Sequence, residues 1–288
     1  MSGIHAIQTG TVGIKSKQLR GEGHGARRLL NTLTDKTWDQ PVPIYAWVIE
    51  HPEGIIVVDT GETAMTAQQD YFPQWHPFFR QVKMFVSPED EIGVQLKYLG
   101  ITSNDVRWVI LTHMHTDHAG GLHHFPRAEI LVARKEYATA RGLRGRLQGY
   151  LPNRWPRWFN PHLVDFTPEA VGPFPSSFAL TKANDIILLP TEGHTNGHLS
   201  VLVREEHLSI FLAGDTSYTE QLMLEQAVDG VSPNEQAARE TLQRIQAYVR
   251  MVPTVYLPSH DPAAKERLSQ RQTVLSRTPG SSMLLRLP

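Results

Sequence analysis

The sequence is organised around residues 111–121, which read LTHMHTDHAGG. An apolar run, VRWVI at 106–110, precedes this stretch and predicts a buried strand. Three imidazoles and one carboxylate follow within six positions, and such groups are the usual ligands of Zn, Fe, Mn or Co. Alternation along an extended segment places His113 and His115 on one side, whereas Asp117 and His118 fall in the turn beyond. The stretch therefore predicts a metal site that can serve two metals rather than one.

The composition narrows the class of protein. With 288 residues, 40% of them hydrophobic and 20% charged, the chain can bury a substantial core, and we expect residues 1–288 to form one domain. A net charge of -1 gives no electrostatic basis for binding nucleic acid. The absence of cysteine excludes disulfides and thiolate ligands. With neither a signal-peptide pattern nor an apolar run of membrane-spanning length, we expect a cytoplasmic protein without nucleic-acid or membrane partners.

Short apolar runs between turn residues predict many strands, with helices at the outer positions. The predicted strands are 4–14, 44–50, 55–58, 106–110, 129–133, 186–189, 199–203, 208–212 and 254–257. The predicted helices are 88–100, 134–140 and 232–250. This pattern predicts an α+β fold in which two β-sheets pack face to face and helices cover both outer faces.

Two segments lack a clear pattern. Residues 20–41 are polar and contain glycine, and we predict a loop that packs over the pocket mouth or against a second subunit of a homodimer. Residues 141–176 interleave arginine with tryptophan and are the least regular part of the chain. We predict an irregular lid or pocket insertion there.

The remaining polar candidates follow directly after predicted strands, so they gather at one edge of the sandwich. His194 lies in a turn, whereas Asp215 and His260 come at or just after strand ends. Two hairpins end alike, in Asp59 and in Asp215, which is a faint internal repeat of two β-rich halves. We expect Asp59 either to orient a metal-bound group or to form a plain turn, and His198 to be a structural histidine. This convergence predicts a single active site.

With these residues in place, the chain resembles the metallo-β-lactamase superfamily over nearly its whole length. The resemblance implies an αββα sandwich and a site for two divalent metals, with Zn expected and Fe, Mn or Co as alternatives. It implies that one metal is bound by His113, His115 and His194, the other by Asp117, His118 and His260, and that Asp215 bridges them. The chain differs from the best-known true β-lactamases, which use a cysteine in the second site. It also differs from flavin-linked di-iron members, which have glutamate in place of His115.

Within that superfamily, residues 214–218, GDTSY, look like the Asp-x-x-Tyr arrangement of the N-acyl-homoserine lactonases. The resemblance implies a quorum-quenching lactonase in which a hydroxide shared by two metals opens the lactone ring. Tyr218 would then stabilise the oxyanion, and Asp117 would pass a proton to the leaving oxygen. The alternative for Tyr218 is an ordinary half-buried aromatic. The residues expected to line an acyl-chain channel are Met84, Phe85, Trp155 and Phe159.

The ligand pattern leaves other activities open. A thioesterase of the glyoxalase II type uses nearly the same ligands, and the arginines of 141–176 could bind the carboxylates of its glutathione substrate. Another lactonase or esterase is a second alternative. A non-catalytic, metal-stabilised binding module is a third, although a complete ligand set with a bridging carboxylate argues against it. The expected partner is a small lactone or ester.

Overall fold

The computed structural model describes residues 3–73, 75–76 and 78–274, without the side chain of Arg144. Two mixed β-sheets pack against each other, and helices cover their outer faces. This confirms the predicted αββα sandwich. Within the described residues, no helix is both long and apolar enough to cross a membrane.

The first sheet has seven strands in the order β4-β1-β2-β3-β5-β6-β7. They are β1 Ile4–Ile14, β2 Val42–Ile49, β3 Ile55–Val58, β4 Val82–Phe85, β5 Val106–Ile110, β6 Glu129–Ala133 and β7 His162–Val164. The β1–β4, β1–β2 and β2–β3 pairs are antiparallel, whereas β3, β5, β6 and β7 run parallel. The carboxyl ends of β3 and β5 therefore reach the same edge of the sheet.

The second sheet has five strands in the order β12-β11-β10-β9-β8. They are β8 Phe178–Ala179, β9 Ile186–Pro190, β10 Leu199–Arg204, β11 Ser209–Gly214 and β12 Thr254–Pro258. The β11–β12 pair is parallel, so these two strands also end side by side.

The helices lie on the outer faces and in the connections. They are α1 Ser16–Leu19, α2 Gly25–Thr34, α3 Ile92–Tyr98, α4 Thr116–Ala119, α5 Arg134–Ala140, α6 Leu143–Leu147, α7 Glu220–Leu224, α8 Glu235–Met251 and α9 Ala264–Ser269. The longest, α8, begins where the Asn234 side chain accepts a hydrogen bond from the Ala237 N–H at 3.0 Å, as expected of an N-cap. Its apolar stripe, which includes Leu242 and Ile245, packs on the second sheet.

Strand alternation explains why both sheets are covered on both faces. In β3, Ile56 and Val58 face the second sheet, whereas Val57 faces the helices. In β11, Leu212 lies between the sheets and Phe211 packs beneath α8. Each fully buried side chain of this kind contributes roughly 1.5–3 kcal/mol of transfer free energy.

The loop predicted for residues 20–41 was wrong for Gly25–Thr34, which form helix α2. The predicted position at a pocket mouth is supported, because α2 lines a cavity. Its buried residues are polar: Arg28 and Thr32, four positions apart. The Thr32 hydroxyl donates to the Gly230 carbonyl at 3.2 Å, and the Arg28 guanidinium donates to the Asp229 and Ser232 carbonyls. The sequence does carry a helical signal here, since apolar residues recur at helical spacing at Ala26, Leu29, Leu30 and Leu33. Leu29 and Leu30 are nevertheless exposed, so this stripe does not pack into the core.

Residues 141–176 contain more regular structure than their sequence indicates. They include α6, a short 3-10 turn at Pro152–Arg154 and the edge strand β7. The interpretation of this segment as a lid on a single domain stays a prediction. The tail beyond residue 276, for which the sequence predicts loose packing, lies outside the described residues.

Candidate metal centre

Three histidines of the centre lie in the segment that runs from the end of β5 into α4. This segment is at the edge of the sandwich where β3, β5, β11 and β12 end. His113 and His115 follow β5 directly, and His118 lies within α4. All three are buried, with relative exposures of 8% or less. A strand that stops beneath a short helix thus turns three imidazoles towards one point.

A first group of ring nitrogens comprises those of His113, His115 and His194. His115 Nδ1 lies 3.0 Å from His113 Nε2 and 3.2 Å from His194 Nε2. Burial lowers the pKa of His115 to about 3 and that of His113 well below its usual value. These two imidazoles are therefore neutral at ordinary pH, which is the state that binds a metal.

A second group comprises Asp117, His118 and His260. His260 Nε2 lies 3.5 Å from Asp117 Oδ2, and His118 Nε2 lies 4.0 Å from Asp117 Oδ1. Burial opposes protonation of His260, but the Asp215 and Asp117 carboxylates outweigh it and raise its pKa. Positive charge is therefore stabilised at this position.

Asp215, at the end of β11, lies between the two groups. Its Oδ1 is 3.3 Å from His118 Nε2, and its Oδ2 is 3.4 Å from His260 Nε2 and 3.5 Å from His194 Nε2. Burial would raise the pKa of Asp215, but His260 and His118 reverse that effect and lower it well below its usual value. Its Oδ2 thus lies near both groups and its Oδ1 near the second, so an ionised carboxylate here can contact cations in both. The structure thus brings together all seven residues that the sequence predicted as ligands.

Histidines of both groups are oriented by contacts to the ring nitrogen that points away from the centre. Those contacts are His113 Nδ1 with Thr112 Oγ1 (3.1 Å), His118 Nδ1 with Asp59 Oδ2 (2.8 Å), His194 Nδ1 with Asp229 Oδ2 (3.0 Å) and His260 Nδ1 with the Pro43 carbonyl (2.8 Å). Such contacts fix the ring and its tautomer, and they direct the other nitrogen towards the centre.

Two buried atoms test whether divalent cations fit here. His118 Nε2 and Asp215 Oδ1 face each other, and neither forms a hydrogen bond within the described part of the chain. Because His118 Nδ1 donates to Asp59, the neutral ring directs a lone pair at a carboxylate oxygen, and a cation between them satisfies both atoms. Burial disfavours a charged His118, yet the surrounding carboxylates outweigh it and raise its pKa well above the usual value. The site therefore stabilises positive charge at this position. The residues present therefore fit a divalent metal.

Asp59 orients a histidine and is more than a plain turn residue. Its Oδ1 accepts from the Thr112 N–H at 2.8 Å, and its Oδ2 accepts from His118 Nδ1. Its φ of +60° is one that aspartate adopts more readily than most residues. Of the two interpretations open from the sequence, orientation describes its contacts.

His198 has the contacts of a structural histidine. Its Nδ1 lies 2.9 Å from Thr191 Oγ1, and its Nε2 accepts from the Asp215 N–H at 3.0 Å. Burial lowers its pKa to about 3. The neutral ring therefore holds the backbone of Asp215 in place.

Sequence reasoning missed Glu136, a buried carboxylate that links the two histidine segments. It accepts from the Met114 N–H at 3.0 Å, the Thr195 hydroxyl at 2.7 Å and the Tyr150 hydroxyl at 2.8 Å. In sequence it is one more charged residue of a short helix, α5, with no signal that sets it apart. Asp229, which holds His194, was missed for the same reason.

Tyr218 lies at the centre, three residues after Asp215. Its ring stacks on that of His260, with centroids 5.6 Å apart and an interplanar angle of 28°. Its oxygen accepts from Gln18 Nε2 at 3.2 Å. Burial raises the pKa of the hydroxyl well above its usual value, so it keeps its proton. Tyr218 lines a small cavity with Asp117 and Asp215, and it is buried rather than half-buried.

A larger cavity of about 410 Å³ opens beside His115 and His194. Its apolar lining comes mostly from α2, α6 and two loops: Ala26, Leu29, Leu33, Phe78, Leu147, Val231 and Pro233. Gln81, Gln148 and Ser232 add polar groups. The cavity can therefore hold an apolar chain that carries a polar group near the histidines.

The predicted channel residues are only partly supported. Met84 lines the small cavity at the centre. Phe85 is half exposed on the edge strand β4, whereas Trp155 and Phe159 pack with Tyr137 against the helical side of the first sheet. The prediction was wrong for these three, because an irregular sequence does not reveal which way an aromatic side chain points and Phe85 lies on the exposed side of an edge strand.

Known proteins are similar in sequence to this chain over much of its length. Probable metallo-hydrolase Rv2300c of Mycobacterium tuberculosis is 33% identical over 201 residues, which are 66% of this chain and 61% of that protein. This chain thus spans less than two thirds of the length of that relative. An N-acyl homoserine lactonase of a Bacillus species is 28% identical over 222 residues, 76% of this chain and 82% of that protein.

Among solved structures, an N-acyl homoserine lactone hydrolase with N-hexanoyl-L-homoserine bound at its catalytic metal center superimposes with a TM-score of 0.72. It is 22% identical, and the match covers 91% of this chain and 94% of that one, so it bears on the fold. A family model described as the metallo-beta-lactamase superfamily matches residues 39–260. That range includes all seven residues of the centre. The chain belongs to the metallo-β-lactamase superfamily, whose fold implies divalent metal binding.

Proposed function

We propose that this protein is a metal-dependent hydrolase that opens the ring of N-acyl homoserine lactones, a quorum-quenching activity. The observation that carries the proposal is the Tyr218 hydroxyl, protonated and buried, in a small cavity with Asp117 and Asp215. The similarity to lactonases of the same superfamily supports it. The metal ligands alone suit several hydrolases. The choice of a lactone as substrate therefore rests on Tyr218 together with this similarity.

The proposed ligands follow the grouping of the side chains. One metal would be held by His113, His115 and His194, and the other by Asp117, His118 and His260, with Asp215 shared. We propose Zn, because imidazole and carboxylate donors suit it. When bound, two such metals would supply a water whose pKa falls from 15.7 to roughly 7 and a Lewis acid for the carbonyl.

Tyr218 is proposed to hydrogen-bond the lactone carbonyl oxygen. Because its oxygen already accepts from Gln18 Nε2, its own O–H is free to donate into the cavity. A single donor to a developing oxyanion is worth about 2.7–4 kcal/mol. Gln18 thus acts as a positioning residue, since it sets the direction in which the hydroxyl points.

Asp117 is proposed to carry the proton. It lines the small cavity, and its Oδ2 lies 3.5 Å from His260 Nε2. As the attacking water forms the new C–O bond, its carboxylate takes the proton released. It returns this proton to the ring oxygen as the old C–O bond breaks, which yields N-acyl homoserine.

The larger cavity suits an acyl chain better than glutathione. A glutathione thioester needs cationic groups for its carboxylates, and Arg28 is the one arginine among the described residues that line the cavity. Its guanidinium already donates to two backbone carbonyls, those of Asp229 and Ser232. Of the arginines in 141–176, Arg154 is bound to the Asp70 and Tyr71 carbonyls. These contacts favour a lactone over the thioesterase alternative.

A substrate panel tests the proposal. The metal-loaded protein is assayed with N-acyl homoserine lactones of several chain lengths, an aryl ester and a glutathione thioester. We expect the highest kcat/KM for a lactone. Faster turnover of the thioester, or no lactone turnover, would contradict the proposal.

The Tyr218→Phe variant tests the role of the hydroxyl. We expect kcat on the lactone to fall by about 10²–10³-fold while metal content is unchanged, because one oxyanion donor is lost. Tyr98→Phe, at a tyrosine that is 76% exposed, is the matched control. Equal kcat values for the two variants would remove the support that Tyr218 gives to a lactone substrate.

A further inference from the structure

A second cluster of metal-binding side chains lies away from the centre, on the helical layer of the first sheet. Glu91 directly precedes α3, and His123 and His124 end the 3-10 helix Gly120–His124 that follows α4. We propose that Glu91, His123 and His124 form a further divalent-metal site. Neither the centre described above nor the proposed hydrolysis uses these residues.

The donor atoms of the three side chains converge. Glu91 Oε2 lies 2.7 Å from His124 Nε2 and 3.3 Å from His123 Nε2. The two imidazole rings are tilted by 38° to each other, with centroids 4.0 Å apart. One atom from each residue lies within 4.8 Å of the others, so one cation can contact all three.

The remaining polar atoms of the cluster are held from behind. Glu91 Oε1 accepts from the Thr63 hydroxyl at 3.0 Å and from the Ala64 N–H at 2.9 Å, which leaves Oε2 for the histidines. His123 Nδ1 lies 3.2 Å from the Gly120 carbonyl, and donation to that carbonyl places the lone pair of the ring on Nε2. This is the arrangement by which outer contacts aim ligand atoms at a metal.

Gly93 makes room for the cluster. A Cβ at this position would lie 2.4 Å from His124 Nδ1, so any larger residue would displace the ring. Glycine inside a helix costs roughly 0.5–1 kcal/mol relative to alanine, and here it lets the His124 ring approach α3.

The protonation states also suit a metal. Burial would raise the pKa of Glu91, but the Ala64 N–H and His124 outweigh it and lower that pKa, so the carboxylate is ionised. Burial and the neighbouring His123 lower the pKa of His124, so its ring is neutral. One carboxylate oxygen and two imidazole nitrogens favour Zn²⁺, Co²⁺ or Ni²⁺ over Mg²⁺ or Ca²⁺.

The site is open to solvent. The His123 side chain is 44% exposed and that of His124 is 22% exposed, so a cation can reach them from outside. Three protein ligands leave a position for water. We therefore expect metal here to exchange more readily than metal at the buried centre.

Zinc content measures this site directly. The purified protein is equilibrated with Zn²⁺ in a metal buffer, and zinc per chain is determined by mass spectrometry. We expect wild type to hold one zinc more than His123→Gln or Glu91→Gln. Because only the difference is used, the result depends neither on the occupancy of the buried centre nor on the identity of the substrate.

The matched control is His162→Gln. His162 is also exposed and lies 3.1 Å from Glu129, but the described residues give this pair no second histidine in a metal-binding cluster. We expect His162→Gln to keep the zinc content of wild type. We also expect Zn²⁺ to raise the Tm of wild type and of His162→Gln more than the Tm of His123→Gln. Equal zinc content in wild type and His123→Gln would overturn the proposal. His123 is exposed, so its substitution leaves the core intact.

Discussion

The hairpins β2–β3 and β10–β11 have the same topology and end in residues of the same type with different roles. Each hairpin is antiparallel, and its second strand pairs in parallel with a strand that leads to a histidine of the centre. The first ends in Asp59 and leads to His113 beyond β5, and the second ends in Asp215 and leads to His260 beyond β12. The predicted internal repeat is therefore visible in the strand pairing.

The two aspartates differ in what surrounds their oxygens. Asp59 is satisfied by Thr112 and by His118 Nδ1, so both of its oxygens are used behind the centre. The backbone N–H of Asp215 donates to His198, and its Oδ1 faces His118 Nε2. Asp59 thus contacts Thr112 and the outward nitrogen of His118, so it orients that ring. Asp215 lies on the other side of the same ring, where its Oδ1 can contact a cation.

The same contrast continues three residues further along each strand end. Tyr218 follows Asp215 and lines the cavity, whereas Glu62 follows Asp59 and is fully buried beside Tyr71. Desolvation raises the pKa of Glu62 to about 8. The end of β11 thus directs Asp215 and Tyr218 into the site, whereas Asp59 and Glu62 at the end of β3 lie behind it.

The largest expected effect is that of Asp215→Ala. This change removes the carboxylate that lies between both groups, and several kcal/mol of charge stabilisation would go with it. We expect kcat/KM on the lactone to fall by about a thousandfold or more and metal content to decrease. Metal analysis and steady-state kinetics measure this, with Asp165→Asn, an exposed aspartate paired with Arg134, as the control. Full metal content with unchanged turnover would contradict a shared role for Asp215.

A smaller effect is expected for Asp59→Asn. The amide keeps one acceptor for Thr112 but directs an NH₂ group at His118 Nδ1, which reverses the ring's preferred tautomer. Loss of such an orienting contact typically costs about 10–100-fold in metal affinity or activity. Competition with a chelator measures the affinity. If this variant loses as much as Asp215→Ala, the distinction between an orienting and a shared aspartate fails.

The smallest effect concerns stability and pH at Glu62. Its folded pKa of about 8 exceeds the ordinary glutamate value of 4.5, so between these values the folded state binds a proton that the unfolded state releases. The stability of the wild type therefore falls as pH rises from about 4.5 to about 8. Glu62→Gln should flatten this dependence and raise the free energy of unfolding at pH 8 by a few kcal/mol, on the order set by 1.36 kcal/mol per pKa unit.

Urea denaturation of both proteins at pH 5 and pH 8 measures this change. Parallel pH dependences for wild type and Glu62→Gln would show that the carboxyl is ionised in the folded protein. Position 62 would then hold a buried charge, and the contrast with the protonated Tyr218 would no longer hold.

The sandwich and the convergence of the centre were predictable because both depend on local patterns. Alternating apolar residues reveal strands with their buried faces, and polar residues at strand ends must meet where parallel strands end. His113, His115 and Asp117 are close in sequence, so their proximity required no tertiary information. The ligand roles of His194 and His260 were predicted from the resemblance to the metallo-β-lactamase superfamily, because their positions in the chain match its ligand pattern.

The supporting residues were not predictable for the opposite reason. Glu136 accepts from Met114 and Thr195, which belong to other segments, and Asp229 holds His194, 35 positions away. The surroundings of both carboxylates in sequence are ordinary. Helix α2 was not predicted although Ala26, Leu29, Leu30 and Leu33 recur at helical spacing, because it is short and lies within a polar, glycine-containing segment. Residues whose partners are many positions away carry no sequence pattern of their own.

Asp229 connects the metal centre with the larger cavity. Its carboxylate holds His194, and its carbonyl accepts from Arg28 on α2, which lines the larger cavity. A substitution on α2 that reshapes this cavity is therefore expected to disturb the loop that orients His194 as well. Under the proposed function, we expect variants with a new substrate range to differ from the wild type in metal affinity too.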